Sequence, residues 1–349
     1  MRIVVTGATG NVGTSVVSAL ARDPQVDEIV GLARRAASLD APRTRCVQAD
    51  VLTADLDALF GDADAVIHLA WLIQPARDRS LTRTVNVDGS RRVFEAAARA
   101  GVAIVYASSV GAYSPGPKDR AVDETWPTGG IASSFYATDK AEVERVLDDV
   151  ERANPGLRCV RLRPGLIFQR DAAAEIRRLF AGPFLPNALL HPRLIPIVPA
   201  MERLRFQAVH SDDVADAYRL AAVRDARGAF NVAAEPVLDP DELGRILGAR
   251  PVPVDTRVLR AVVDATFRLR LQPTEPGWLD MALAVPIMDT RKARDELGWT
   301  PARTSSDALL ELLDGMRRGD GAPTPPLEAG SAGLLRWREI ASGVGARIG

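Results

Sequence analysis

The strongest constraint on this chain lies at its start. Arg2-Ile3-Val4-Val5 reads as a buried strand, and Thr6-Gly7-Ala8-Thr9-Gly10-Asn11-Val12-Gly13 follows it without a gap and opens a helical pattern over residues 11–22. Glycines at G-x-x-G-x-x-G spacing let a backbone turn tightly and approach a pyrophosphate. The helix behind them offers free N–H groups and a positive dipole end. A plain strand-to-helix turn would also use glycine, but a loop placed between a first buried strand and a first helix favours the phosphate cradle. Gly7, Thr9, Gly10, Asn11, Val12 and Gly13 are therefore expected to contact a dinucleotide.

The next 150 or so residues repeat the same unit. Apolar runs at 28–32, 45–49, 65–69, 102–107 and 157–162 are interleaved with long helical stretches at 80–100 and 134–153. Gly101 stops the first of these helices and Asn154-Pro155-Gly156 the second. Strands alternating with helices of this length predict parallel βαβ units, and hence an α/β fold with a doubly wound, Rossmann-type sheet of six or seven strands. After Pro164 the pattern loosens. Pro183, Pro186, Pro192, Pro196 and Pro199 make residues 181–201 irregular. Helical patterns resume at 212–223, with Ser211 as N-cap, and at 239–247, 256–268 and 305–317, with a short strand at 229–232. The expected organisation is a dinucleotide-binding core over 1–165, to which segments of 203–235 return. A smaller, mixed, substrate-binding part spans 166–318. A linker or C-terminal arm rich in Gly, Pro and Ala spans 319–349, in which 334–341 could dock as a short helix.

Composition excludes several other classes. Lys+Arg is 44 and Asp+Glu is 45, which gives no support to a nucleic-acid or membrane-surface partner. No apolar run reaches the ~18 residues of a membrane span. Three His and two widely separated cysteines, Cys46 and Cys159, offer no metal-ligand spacing, so no metal is expected and a reducing cytoplasm is the simplest compartment. His68 and His210, at strand ends, read as hydrogen-bonded structural histidines, and Asp213 as a residue that caps or orients the helix it starts.

The chemistry concentrates in Tyr136-Ala137-Thr138-Asp139-Lys140. Residues at i and i+4 share one helix face. With four Tyr and three Lys in 349 residues, this pairing is expected by chance roughly 0.03 times. A phenol titrates near ~10, and a neighbouring ammonium favours the phenolate, so Lys140 would tune Tyr136 as a general acid/base for a carbonyl or alcohol. Ser108-Ser109, ending the 102–107 run, offers a hydroxyl for the substrate oxygen. The second strand ends Ala33-Arg34-Arg35, where NAD-preferring sites carry an acidic residue for the ribose 2′-hydroxyl. Arg34 and Arg35 either hold a 2′-phosphate there or form an ordinary solvated loop. Asp50 and Val51, after the third strand, are placed to meet an adenine ring, and Leu69, Ala70 and Trp71, after the fourth, to line the cofactor cleft.

Taken together, these residues resemble the extended short-chain dehydrogenase/reductase family, which includes NAD-dependent epimerases/dehydratases. The likeness covers residues 1–235. Besides the segments already quoted, it rests on His68-Leu69-Ala70, Asn86-Val87-Asp88-Gly89-Ser90, Arg163-Pro164-Gly165 and His210-Ser211-Asp212-Asp213-Val214-Ala215, with a weaker echo in Leu297-Gly298-Trp299-Thr300-Pro301. The resemblance implies Ser109, four residues before Tyr113, as the catalytic hydroxyl, Tyr136 as acid/base and Lys140 as its partner. It also implies Pro164 and Gly165 near the nicotinamide, Asn86 as a structural or cofactor-side residue, and a homodimer through the two long helices.

The departures from the family pattern bear on substrate. Sugar 4,6-dehydratases place Asp-Glu directly after the catalytic hydroxyl residue; here Val110-Gly111 follows, and neither moves a proton. Nucleotide-sugar enzymes usually carry Asn three residues after the Arg of the sixth strand, a position held here by Leu166. Gln169-Arg170 replaces the familiar Gly-Pro, and Phe206 stands where an Arg is usual, with Arg205 one residue off. Trp71, Leu72, Ile73, Tyr113, Trp126 and the proline-rich 181–201 segment suggest an apolar pocket wall, with Trp71, Ser109, Tyr113 and Leu166 as substrate contacts. The expectation is an NADP(H)-preferring oxidoreductase (NAD remaining possible) acting on a small-molecule carbonyl or alcohol. The alternative is a sugar or nucleotide-sugar epimerase with tightly bound NAD.

Overall fold

The computed structural model describes residues 1–73, 77–181 and 195–329. Seven parallel strands form one sheet in the spatial order Gly228–Val232, Cys159–Pro164, Ala103–Ala107, Ala65–His68, Arg2–Thr6, Glu28–Ala33, Thr44–Gln48. The inner strands are largely apolar because both faces are covered, with Arg161 and Arg163 of Cys159–Pro164 as buried charged exceptions. Alternation divides them. Ile3, Val5, Ile67 and Val105 pack under the helices Asn11–Arg22 and Ser211–Val223, whereas Val4, Val66, Ile104 and Tyr106 pack under Gly89–Ala100 and Phe135–Ala153. Thr6 pairs with Leu32 on one side and His68 on the other, so the chain order reverses across the first strand. An open crevice at the carboxyl ends of the strands belongs at such a switch point.

The expected single helix over 80–100 is one helical path, Arg79–Arg83 and Gly89–Ala100, interrupted by a π turn at Thr84–Asp88. The π turn presents Asn86, whose side chain accepts from Leu72 N at 2.7 Å and donates to Leu72 O at 2.9 Å, clamping the loop after the fourth strand. His68 is structural: Nδ1 meets Thr6 Oγ1 at 2.7 Å and Nε2 meets Ser90 Oγ at 2.9 Å. Burial, with Lys140 nearby, pushes its pKa down to about 3.

Past Pro164 the chain makes small parallel pairs, Leu166–Phe168 with Ala208–His210 and Ile197–Ala200 with Arg250–Pro253. The cap of Ser211–Val223 differs from expectation. His210 Nδ1 accepts from Asp212 N, while Ser211 Oγ turns to Asn11 O. Asp213 orients a distant segment: its carboxylate accepts from Ala302 N and Arg303 N, and its backbone carbonyl from Trp299 Nε1 at 2.7 Å. The start of the expected arm is docked. Gly319–Ala329 returns to the glycine loop, Thr324 Oγ1 donates to Thr9 O at 2.8 Å, and Leu327 is fully buried. Composition suggested a linker because it carries no information about a docking partner. Residues 334–341 lie outside the described residues. Among the described residues no helix is long and apolar enough to cross a membrane.

Candidate active site

The crevice at the switch point is a cleft open to solvent. It is lined by Gly7, Thr9 and Gly10 at one end and by Ala33, Arg34 and Arg35 at another, with Val51, Leu69, Ala70 and Trp71 along its floor. Two glycines are obligatory here. Gly7 has φ +72°, and a Cβ on it would lie 2.8 Å from Ala70 N; a Cβ on Gly13 would lie 2.2 Å from Gly7 O. The first of these keeps the loop tight and the second lets the helix pack onto it. The helix Asn11–Arg22 starts from Gly10 with no side-chain cap and no acidic residue in its first turn. Its leading N–H groups and dipole therefore suit a diphosphate. Asn11 and Val12 supply backbone only. Asn11 Oδ1 accepts from Gln169 Nε2 at 2.8 Å, and Val12 packs against the core. The cradle fits a nicotinamide dinucleotide.

Asp50 departs from expectation. Its carboxylate accepts from Leu52 N at 2.9 Å to shape the turn, and Ala49 and Val51, not Asp50, line the cleft. A wall of the cleft comes from residues that sequence reasoning missed, Glu175, Arg178, Leu179 and Pro326. No local motif marks them, because they arrive from chain far from the nucleotide-binding core.

Ser109, Tyr136 and Lys140 come together at the end of the Ala103–Ala107 strand. Ser109 caps the turn Val110–Ala112, accepting from Gly111 N at 3.0 Å, and its hydroxyl lies close enough to Tyr136 to act on the phenol. Tyr136 sits in the first turn of Phe135–Ala153, which Ser134 caps. Gly111 is needed beside it, since a Cβ there would come within 3.0 Å of the Tyr136 ring. Lys140, one turn on and buried, donates to Ala107 O at 2.6 Å, with Nζ 3.5 Å from the Trp71 ring centroid. Burial lowers its pKa to about 7, partly opposed by Glu144 and Asp139. The Tyr136 phenol is raised by burial, against which the neighbouring Ser109 hydroxyl pulls it down. In this arrangement burial, not the ammonium, dominates that phenol, contrary to the simple expectation.

Around Tyr136 stands an aromatic enclosure. Trp278 lies over its ring at 4.9 Å, Trp71 meets it edge-on at 5.9 Å, and Phe180 abuts Trp278. Trp278 and Phe180 carried no sequence signal, being single aromatics in segments without a motif. Behind the site Glu144, 1% exposed, accepts from Ser108 Oγ, from Arg163 Nε and Nη2 at 2.9 Å each, and from Arg161 Nη1 at 3.3 Å. Ser108 thus belongs to a buried ion cluster and Ser109 to the site.

Four residues assigned as contacts, Tyr113, Pro164, Gly165 and Leu166, sit away from the cleft. Tyr113 is fully buried, its hydroxyl donating to Asn231 Oδ1 at 2.7 Å and accepting from Arg163 Nη1, so it braces the core and cannot touch substrate. Pro164 and Gly165 are buried at the strand's end, where Gly165 N donates to Val232 O and a Cβ would strike Gln207 O at 2.5 Å; neither lines the cleft. Leu166, 40% exposed, pairs with Ala208 and faces neither the cleft nor the hollow beside Tyr136. Trp126, part of the suggested pocket wall, packs beside Tyr113 instead, with Nε1 donating to Ser114 O. Residues 182–194 of the proline-rich segment lie outside the described residues.

A Rossmann-type sheet with a glycine cradle and a Ser-Tyr-Lys set defines a nicotinamide-dependent class. The family model for the NAD dependent epimerase/dehydratase family matches residues 3–233, and the chain belongs to that family, within the extended short-chain dehydrogenases/reductases. An uncharacterized protein of Mycobacterium tuberculosis (strain ATCC 25618 / H37Rv) is 29% identical over 91% of this chain, which spans only 30% of that relative's length. A UDP-glucose 4-epimerase of Mycolicibacterium smegmatis is 28% identical over 91% of this chain and 99% of its own. Among solved structures, a UDP-glucose 4-epimerase from Thermotoga maritima shares the fold with a TM-score of 0.68 at 20% identity, covering 91% of this chain and 99% of that one.

Proposed function

We propose that this protein is an NADP(H)-dependent oxidoreductase acting on an apolar carbonyl or alcohol. One observation carries the reading. The second strand ends in Ala33 with no carboxylate for a ribose 2′-hydroxyl, and Arg34 and Arg35 both line the cleft at that corner. Gly7, Thr9, Gly10 and the leading N–H groups of the first helix would hold the diphosphate. When bound, the nicotinamide supplies or accepts hydride. Ser109 positions the substrate oxygen by hydrogen bond. Tyr136 Oη gives its proton to that oxygen in reduction, or takes it in oxidation. Lys140 is placed to hold the ribose and to restore the proton on Tyr136. The Trp71, Phe180 and Trp278 rings exclude water and favour a substrate with an apolar body.

A second reading is a nucleotide-sugar epimerase with tightly held NAD. It is favoured by the Mycolicibacterium smegmatis relative, which aligns along nearly its whole length. Ala33 at the end of the second strand, where an NAD site would carry a carboxylate, weighs against it. Denaturing the freshly purified protein and identifying any released cofactor separates the two. An empty protein that binds NADPH more tightly than NADH supports the reductase. Near-stoichiometric NAD in the supernatant would overturn it in favour of the epimerase.

A further inference from the structure

A third guanidinium, that of Arg178, lines the same cleft as Arg34 and Arg35, and its charge is felt at Arg35. The turns Ala173–Ile176 and Arg177–Ala181 carry Glu175 and Arg178 into the wall of the cleft that the end of the second strand also lines. Arg178 is only 6% exposed. Its Nη2 donates to Pro326 O at 3.2 Å and stands 3.9 Å from Glu175. Pro326 belongs to the docked segment that Thr324 ties to Thr9 O. Arg178 is thereby held by a strap that also touches the glycine loop.

The charges in this corner are crowded. Arg35 has its guanidinium pKa lowered by burial and then by Arg178 and Arg34, while Glu328 and Glu175 oppose the shift. Burial likewise pushes the Glu175 carboxyl up to about 7, against the pull of Arg178 and Arg35. Among the described residues three guanidinium groups, those of Arg34, Arg35 and Arg178, stand with two carboxylates, Glu175 and Glu328, of which Glu175 is poorly disposed to ionise. Like charges gathered in a partly desolvated site favour an anion. A phosphate monoester brings about −1.5 to −2 charges and three acceptor oxygens, and guanidinium groups match that geometry.

We propose that Arg178 is the third cation of an adenosine 2′-phosphate subsite, delivered from outside the nucleotide-binding core and held in place by the C-terminal strap. The assignment rests on the NADP(H) reading above. It makes cofactor choice a property of two distant segments of chain.

The test uses the full-length protein and two fragments, adenosine 2′,5′-bisphosphate and 5′-AMP, titrated calorimetrically at pH 8. Loss of one charge-assisted hydrogen bond to phosphate corresponds to about a 10- to 100-fold change in affinity. Arg178→Gln is expected to weaken the bisphosphate by at least tenfold and 5′-AMP by less than twofold. Glu175→Gln, which removes the nearest negative charge, is expected to tighten the bisphosphate severalfold and leave 5′-AMP unchanged. If Arg34→Ala is selective for the bisphosphate while Arg178→Gln affects both fragments equally or neither, the Arg178 assignment is overturned and the NADP(H) reading stands. If the wild type does not distinguish the fragments and Arg34→Ala changes neither, both fail together. Should Arg178→Gln not fold, Glu175→Gln decides, and unchanged or weaker bisphosphate binding refutes the proposal.

Discussion

Replacing Glu144 by Gln removes the anion from the buried cluster behind the site. Its two oxygens take four hydrogen bonds, two of them a bidentate pair from Arg163. In the variant an amide NH2 would confront a guanidinium that can only donate. Arg161 keeps Asp148 and Glu151 as partners, and Arg163 Nη1 keeps Glu124 O and Tyr113, so the loss falls mainly on the Arg163 fork. Breaking a buried pair from one side costs about 3–5 kcal/mol. That is a fifth or more of the ~5–15 kcal/mol stability of a typical domain. At roughly 2 °C per kcal/mol, the low end for domains of 150–250 residues, the melting temperature followed by circular dichroism should fall by about 6–10 °C. The pH dependence supplies a second readout. Burial raises the Glu144 carboxyl, but Arg163 and Arg161 outweigh it and hold the group below its ordinary value. The stabilisation is therefore present above the unfolded value of ~4.3 and is lost as pH falls through the lower folded value. Glu144→Gln should flatten that acid limb. A loss under about 1 kcal/mol with an unchanged acid limb would show that the cluster is solvated and that this reasoning is wrong.

Three further outcomes are expected. Tyr136→Phe should reduce turnover by about 10²- to 10⁴-fold while NADPH affinity, measured by fluorescence titration, changes less than about twofold; retained turnover would remove Tyr136 as the acid/base. Gly13→Ala should abolish NADPH binding and lower the melting temperature, because its methyl would meet Gly7 O at 2.2 Å, and normal binding would show that the loop relaxes. Lys140 titrates at about 7 because of burial, whereas an unfolded lysine holds its proton to ~10.4. Between those values the unfolded chain binds more protons, so this group makes stability rise with pH. Urea denaturation at pH 7 and pH 9 should show a smaller rise for Lys140→Met than for wild type (where Lys118, also lowered to about 7, contributes too); equal rises would place Lys140 in a wetter site.

Much of this molecule was legible in its residues. The parallel sheet follows from apolar runs too continuous for a one-sided strand, and the cradle from glycines whose spacing only a tight strand-to-helix turn requires. Tyr136 and Lys140 announce themselves because a helix brings i and i+4 together, and Ser109 joins them at the end of a neighbouring parallel strand. These are local or near-local regularities, which backbone geometry translates directly. Tyr113 shows where that translation stops. An aromatic four residues past Ser109 could serve substrate or core, and the choice fell to Asn231 and Arg163, which arrive on other strands and bury its hydroxyl. The Gly319–Ala329 strap, Trp278 over Tyr136 and Arg178 in the cleft that Arg35 also lines were decided in the same way. Each depends on packing between segments far apart in the chain, where shape and charge select the partner and no local pattern records the outcome.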